Sequence, residues 1–195
     1  MRFRKEKMIH RNMKKILFAL SLFLLASVSQ AQNRFYTKNA KINFYSETSL
    51  EDIEAKNKSA VTVLDTKNGS LQFSLLIKGF EFKNDEMQEH FNEDYMESDK
   101  FPKAEFKGQV VNNAAVNYTK AGTYNVQVKG LLTIHGVTKE IQTNGTIKVD
   151  NDGLKSNSSF NIAIADYGIK IPRLVRDKIA KTVKITVDAK LDPLK

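Results

Sequence analysis

The sequence predicts an all-β fold: an eight-stranded antiparallel up-and-down barrel with one or two short helices. Three observations predict it. Apolar residues recur at every second position in segment after segment, the signature of strands buried on one face. Turn signals such as Asn68-Gly69, Lys120-Ala121-Gly122 and His135-Gly136 separate these rows at short distance, giving hairpin order rather than long crossings. Glycines fall inside strand patterns, at Gly79, Gly108, Gly130 and Gly145, where a missing side chain permits a bend or bulge. Strands with one apolar face must bury it, and short hairpins favour closure into a barrel over a sandwich.

The rows follow in order. Phe35–Tyr45 supplies the first strand and Ala60–Asp65 the second. Leu71, Phe73, Leu75 and Ile77 then face one way, with Gln72, Ser74 and Lys78 opposite, and Ala104–Val111 carries Phe106. The longest row is Tyr124, Val126, Val128, Gly130, Leu132 and Ile134. Ile141 to Val149 continues the alternation up to Asn151-Asp152-Gly153, followed by Phe160, Ile162 and Ile164, and finally by Val183, Ile185, Val187, Ala189 and Leu191. The residues expected to face an apolar interior are Phe73, Leu75, Phe106, Tyr124, Val126, Val128, Leu132, Phe160, Ile162 and Ile185. Eight strands sit at the size where the interior is either filled by side chains or left as a tunnel. Bulky Phe73, Phe106, Tyr124 and Phe160 stand beside Gly130, Gly145 and Ala163, so periodicity leaves both states open.

The first 31 residues read as a cleavable secretory signal. Seven basic residues from Arg2 to Lys15 precede an apolar run from Ile16 to Val28, and Ser29-Gln30-Ala31 places small residues where a signal peptidase reads. That run is too short to span a bilayer, which takes roughly 20 residues, and no later segment matches it. The expected mature chain, residues 32–195, is a single barrel domain, exported to the periplasm or secreted and not membrane-spanning. With no cysteine, neither a disulfide nor a lipid-modified N-terminal cysteine is available. The formal charge of +9 belongs mostly to the leader, which holds seven of the 31 basic residues and one of the 22 acids. The remaining balance gives no concentrated basic stripe, so nucleic-acid binding is not expected.

Between the third and fourth rows lies EHFNEDYMESDKFPKAEF, Glu89 to Phe106, the end of a stretch with seven acids from Asp85 to Asp99. As a metal site it is poor. Calcium loops need a central glycine, which Asp85 to Asp99 lacks, and zinc or iron wants several converging His or Cys, where the mature chain has only His90 and His135. No metal or cofactor is therefore expected. Met87, Phe91 and Tyr95 instead fall at i, i+4 and i+8, the apolar face of a short helix with an acidic back, placed as a lid or plug. Asn84 is positioned to cap its start, and Phe101-Pro102 forces an extended exit. His135, at a strand end, suits a turn hydrogen bond. No second base, thiol or nucleophile-elbow serine accompanies it, and an enzyme is not expected. A last cluster, Lys170, Arg173, Arg176, Lys178, Lys181 and Lys184, brackets a short helical turn opened by Pro172. Arg173 and Arg176 are candidates for pairing with an anionic headgroup, beside the plainer reading of a solvated face.

The run MQEHFNEDYMESDKFPKAEFKG, Met87 to Gly108, followed by GLLTIHGVTKEI, Gly130 to Ile141, resembles the YceI-like family in its Bacteroidota form. The likeness extends to Asn39–Asn57 and to Ile147–Pro172. One stretch departs: Ser49 to Ala55 stands where the better-studied branch carries Gly-x-Phe. The resemblance implies a lipocalin-like barrel with a helix packed against it, whose elongated apolar interior holds a polyisoprenoid or related lipid in some members. It thus implies a lipid-binding carrier or sequestering protein; a homodimer is compatible with it. The alternative is a filled-core barrel acting through its surface as an envelope interaction or stress-associated module.

Overall fold

The computed structural model describes residues 33–194; the expected signal peptide lies outside them. Nine strands follow in chain order: β1 (Arg34–Glu47), β2 (Asp52–Asp65), β3 (Ser70–Leu76), β4 (Glu81–Phe82), β5 (Lys103–Val110), β6 (Gly122–Ile134), β7 (Val137–Asp150), β8 (Gly153–Ala163) and β9 (Thr182–Pro193). A helix, α1 (Asp85–His90), continues as a π turn through Phe91–Tyr95. The eight long strands pair antiparallel with their neighbours in sequence. β3 meets β5 across the helical excursion, and β1 pairs with both β2 and β9, which closes the barrel. Two-residue β4 adds to the start of β2. At the β6–β7 turn His135 and Gly136 have φ of 51° and 74°, both left-handed, as the tightest hairpins require.

Two strands are longer than their alternation suggests. β2 begins at Asp52 rather than Ala60 because a bulge interrupts its phase: Ala40 pairs with Ala60 but Ile42 with Asn57, so β2 carries one residue more. Ala55 and Asn57 face inward before it, and Ala60, Thr62 and Leu64 after it, all fully or almost fully buried. β8 begins at Gly153, its first half masked by inward Ser156 and Ser158. Gly79 lies in no strand but closes the 3-10 turn Ile77–Gly79.

Asn57 clamps the bulge. Its Nδ2 donates to the Leu76 carbonyl at 3.0 Å, and its Oδ1 accepts from the Ser59 amide at 3.0 Å and the Ser59 hydroxyl at 3.2 Å. Asn57→Ala would leave the Leu76 carbonyl and the Ser59 amide without this side-chain partner and open a hole at a fully buried position. The expected loss is about 2 kcal/mol, read as a lower urea midpoint at unchanged slope.

One end of the barrel is floored. Leu64, Val110 and Leu191 are buried there, and the β5–β6 connection lies across with Asn113 donating to the Thr66 carbonyl at 2.9 Å. The Tyr118 hydroxyl donates to Asn113 Oδ1 at 2.7 Å, and burial pushes its phenol pKa up to about 12, so it remains a donor. The other end collects the β1–β2 turn, α1, the β6–β7 turn and the segment between β8 and β9.

Candidate functional site: an apolar cavity inside the barrel

Between floor and cap the lumen is open, with a cavity of about 570 Å³, in the range of sites for small organic molecules. Inward rows of every long strand line it. Phe73 and Leu75 from β3, Phe106 from β5, Val126, Val128 and Leu132 from β6, Phe160 and Ile162 from β8 and Ile185 from β9 all stand on its wall. Tyr124 does not. It shares their row, but it sits near the floor end of β6, where its hydroxyl donates to the Lys120 carbonyl at 3.0 Å. Alternation tells which face a residue takes, not how far along the barrel the cavity extends.

Several lining residues escaped the sequence reading. Ile42 and Phe44 come from β1, Phe80 precedes β4 and Phe82 belongs to it, and Ile171, Val175 and Ile179 belong to the segment before β9. The spacing Phe80-Glu81-Phe82 carries the period-2 signal for one pair of them. Arg173 and Arg176 lie in the 3-10 turn Arg173–Lys178, exposed and off the cavity wall, while Val175 and Lys178 of the same turn reach it. A short turn presents alternate residues to different sides, and the two arginines take the solvent side of the rim.

The wall is uneven on one side. β7 and β8 pair only from Gly145–Asp150 against Gly153–Ser158, although β7 starts at Val137 and β8 runs to Ala163. Above Gly145 the two strands part, leaving a seam whose lower corner is bridged by side chains. Thr143 Oγ1 lies 3.2 Å from Ser158 Oγ, which donates to the Asn144 carbonyl at 2.9 Å. Thr143, Ser156 and Ser158 thus put hydroxyls on a mostly apolar lining.

The acidic segment lies over one end of this cavity. Asn84 Oδ1 accepts from the Glu86 and Met87 amides at 2.8 and 3.3 Å, fixing the start of α1. The π turn breaks the strict four-residue spacing after His90, yet Met87, Phe91 and Tyr95 all reach the cavity. Phe91 anchors the segment: its ring stacks on Phe44 at 5.5 Å between centroids and tilts against Phe82 at 4.9 Å. Among the described residues no three metal-ligating side chains gather.

His90 is half-exposed on α1, with Nδ1 2.7 Å from Asp94 Oδ2. That hydrogen bond holds its pKa above the ordinary histidine value, with help from the nearby Glu86 and Glu89 charges and against partial desolvation. A raised folded value means that its contribution to stability is complete below the unfolded pKa of about 6.5 and is lost as pH rises through the folded midpoint. An NMR titration is expected to place His90 above a free histidine, with Asp94→Asn lowering it. His135 serves the cap from the other side, its ring nitrogens 3.2 Å from the Tyr167 carbonyl and 3.0 Å from Glu97 Oε2. Glu97, at φ of 42°, and His135 are the two left-handed residues other than glycine among those described, and their contact pins the end of the cap to the β6–β7 turn.

A closed antiparallel barrel with an apolar lumen and a helical cap defines a lipocalin-like architecture. The chain matches the YceI-like domain family over residues 25–191 and belongs to it. It is similar in fold to a polyisoprenoid binding domain from Saccharophagus degradans implicated in plant cell wall breakdown, with 16% identity and a TM-score of 0.72 over 83% of this chain and 99% of that one. It is also similar to BcnA of Burkholderia cenocepacia, with 18% identity and a TM-score of 0.64 over 78% of this chain and 94% of that one. No curated protein matches the chain. Among the described residues, no helix is long and apolar enough to cross a membrane.

Proposed function

We propose that the chain is an exported protein that carries or sequesters a long-chain, isoprenoid-like lipid inside its barrel, acting by binding rather than by catalysis. The observation that carries this reading is the cavity of about 570 Å³, walled by aliphatic and aromatic side chains along the barrel axis. A filled-core barrel would close-pack that space at the density of other protein interiors. The description of the Saccharophagus relative as polyisoprenoid-binding supports the ligand class, and the apolar run behind a basic N-terminus supports export to the periplasm or beyond.

The energetics suit such a ligand. Burying the equivalent of about ten methylenes at ~0.8 kcal/mol each gives ~8 kcal/mol before the costs of association and ordering. Affinity then needs no specific polar contact. Native mass spectrometry of protein purified gently from its own envelope is expected to show a bound species of lipid mass. Protein that is empty there, and that takes up no polyprenyl lipid when offered it, refutes the reading. The cap, on this reading, is a gate: hydrogen exchange is expected to be faster in Met87–Tyr95 than in Tyr124–Ile134 and to slow on lipid loading.

A further inference from the structure

The capped end of the barrel presents two leucines to solvent. Leu174, in the turn Arg173–Lys178, is 97% exposed, and Leu50, in the β1–β2 turn, is 67% exposed. The two turns are neighbours. Lys178 Nζ lies 3.7 Å from Glu51 Oε2, and the Ala180 amide donates to Ser46 Oγ at 2.8 Å. Their inner sides, through Ile53, Val175 and Ile179, line the cavity. The two exposed leucines thus sit on turns whose neighbouring apolar residues line the cavity, which places them at its rim.

Basic residues flank Leu174 in sequence on both sides. Lys170, Arg173, Arg176 and Lys181 are exposed, and among the described residues none lies within 4.0 Å of a carboxylate. Asp177 is the one acid in the Leu174 turn; beside Leu50, Glu51 is engaged by Lys178 while Glu47 and Asp52 are exposed, so the attraction to anions comes from the Leu174 side. The acidic back of α1 borders the same end, so a negatively charged surface would meet the cationic turn and be repelled by the helix.

We propose that this rim is a docking surface for an anionic phospholipid bilayer, with Leu174 and Leu50 entering the headgroup–acyl boundary and Lys170, Arg173, Arg176 and Lys181 drawn to the lipid phosphates. Short apolar insertions combined with basic residues are what peripheral attachment requires, and the attraction acts within a Debye length of the surface. The docked rim would set the cavity mouth against the membrane. The surface is a property of the rim itself and does not depend on what fills the barrel.

The protein contains no tryptophan, so Leu174→Trp is a sole reporter. Its emission is expected to shift to the blue on vesicles of mixed phosphatidylglycerol and phosphatidylcholine, and not on phosphatidylcholine alone or at high salt. Val111→Trp, at a 50% exposed site just past β5 at the floored end, is expected to stay unshifted. In co-sedimentation, the Arg173→Glu, Arg176→Glu double variant is expected to lose roughly tenfold or more of its vesicle partitioning, and Leu50→Asp with Leu174→Asp likewise. Three results would overturn the proposal: no blue shift on anionic vesicles, an equal shift from Val111→Trp, or a concentration-dependent shift without vesicles, which would assign the leucines to a second copy of this chain.

Discussion

Val128→Arg is expected to empty the barrel without unfolding it. Val128 lies midway along β6, buried and on the cavity wall, with Thr143 as its β7 partner. Arginine there reaches across the lumen, and its guanidinium finds the hydroxyls of Thr143, Ser156 and Ser158 together with whatever water enters, not a close-packed wall. A charge so placed costs stability, about 2–4 kcal/mol against the several that an unpaired cation costs in a dry core. The far-UV spectrum is expected to remain that of a β protein while co-purified lipid falls to background, because the stem fills the volume and the charge repels an apolar chain. Val128→Leu keeps the lumen apolar and is expected to retain lipid. A folded Val128→Arg protein that still carries a full load would place the ligand elsewhere and sink the carrier reading.

What the sequence disclosed depended on whether burial left a periodic imprint. Val126, Val128 and Leu132 were legible because a strand with one buried face alternates by necessity. The first half of β8 was not, since Ser156 and Ser158 face the lumen and read as a polar loop. The same hydroxyls that hid the strand give the cavity its polar stripe, so one departure from pattern removed both an element and a site feature from view. In β2 the bulge at Asn57–Ala60 shifted the phase, and Ala55, small enough to be missed as core, began the buried row. Tyr124 shows the limit from the other side: its face was right, but its height along the axis is a property of the closed barrel. Whether the lumen is open is likewise a sum over eight strands in space, fixed by tilt and by which small residues oppose which large ones. The seam between β7 and β8 left no mark on alternation at all, because pairing partners are a relation between segments and not a feature of either.

Gly130→Val is expected to be the most damaging single change in the barrel wall. Gly130 of β6 lies directly opposite Gly108 of β5, both on the inward row, and the ring of Phe106 lies over the pair. A Cβ at position 130 would stand 2.4 Å from the Gly108 Cα and 2.5 Å from the Lys107 carbonyl oxygen, distances at which backbone must move. A Cβ at position 108 would meet the Lys129 carbonyl oxygen at 2.4 Å, so the approach is too close from either strand. The glycine pair lets β5 and β6 bend sharply enough to close the sheet, and Phe106 covers the hollow they leave. Valine at 130 is therefore expected to cost roughly 4 kcal/mol or more, at the extreme of single-substitution effects. Equilibrium urea unfolding measures it. Adding Phe106→Ala separates the two sources of strain: it removes the ring contact, 2.7 Å from the same Cβ, but not the backbone contacts. The double variant is expected to be no more stable than Gly130→Val alone. Substantial recovery would mean that the glycines make room for the ring and leave the curvature of the barrel to other positions.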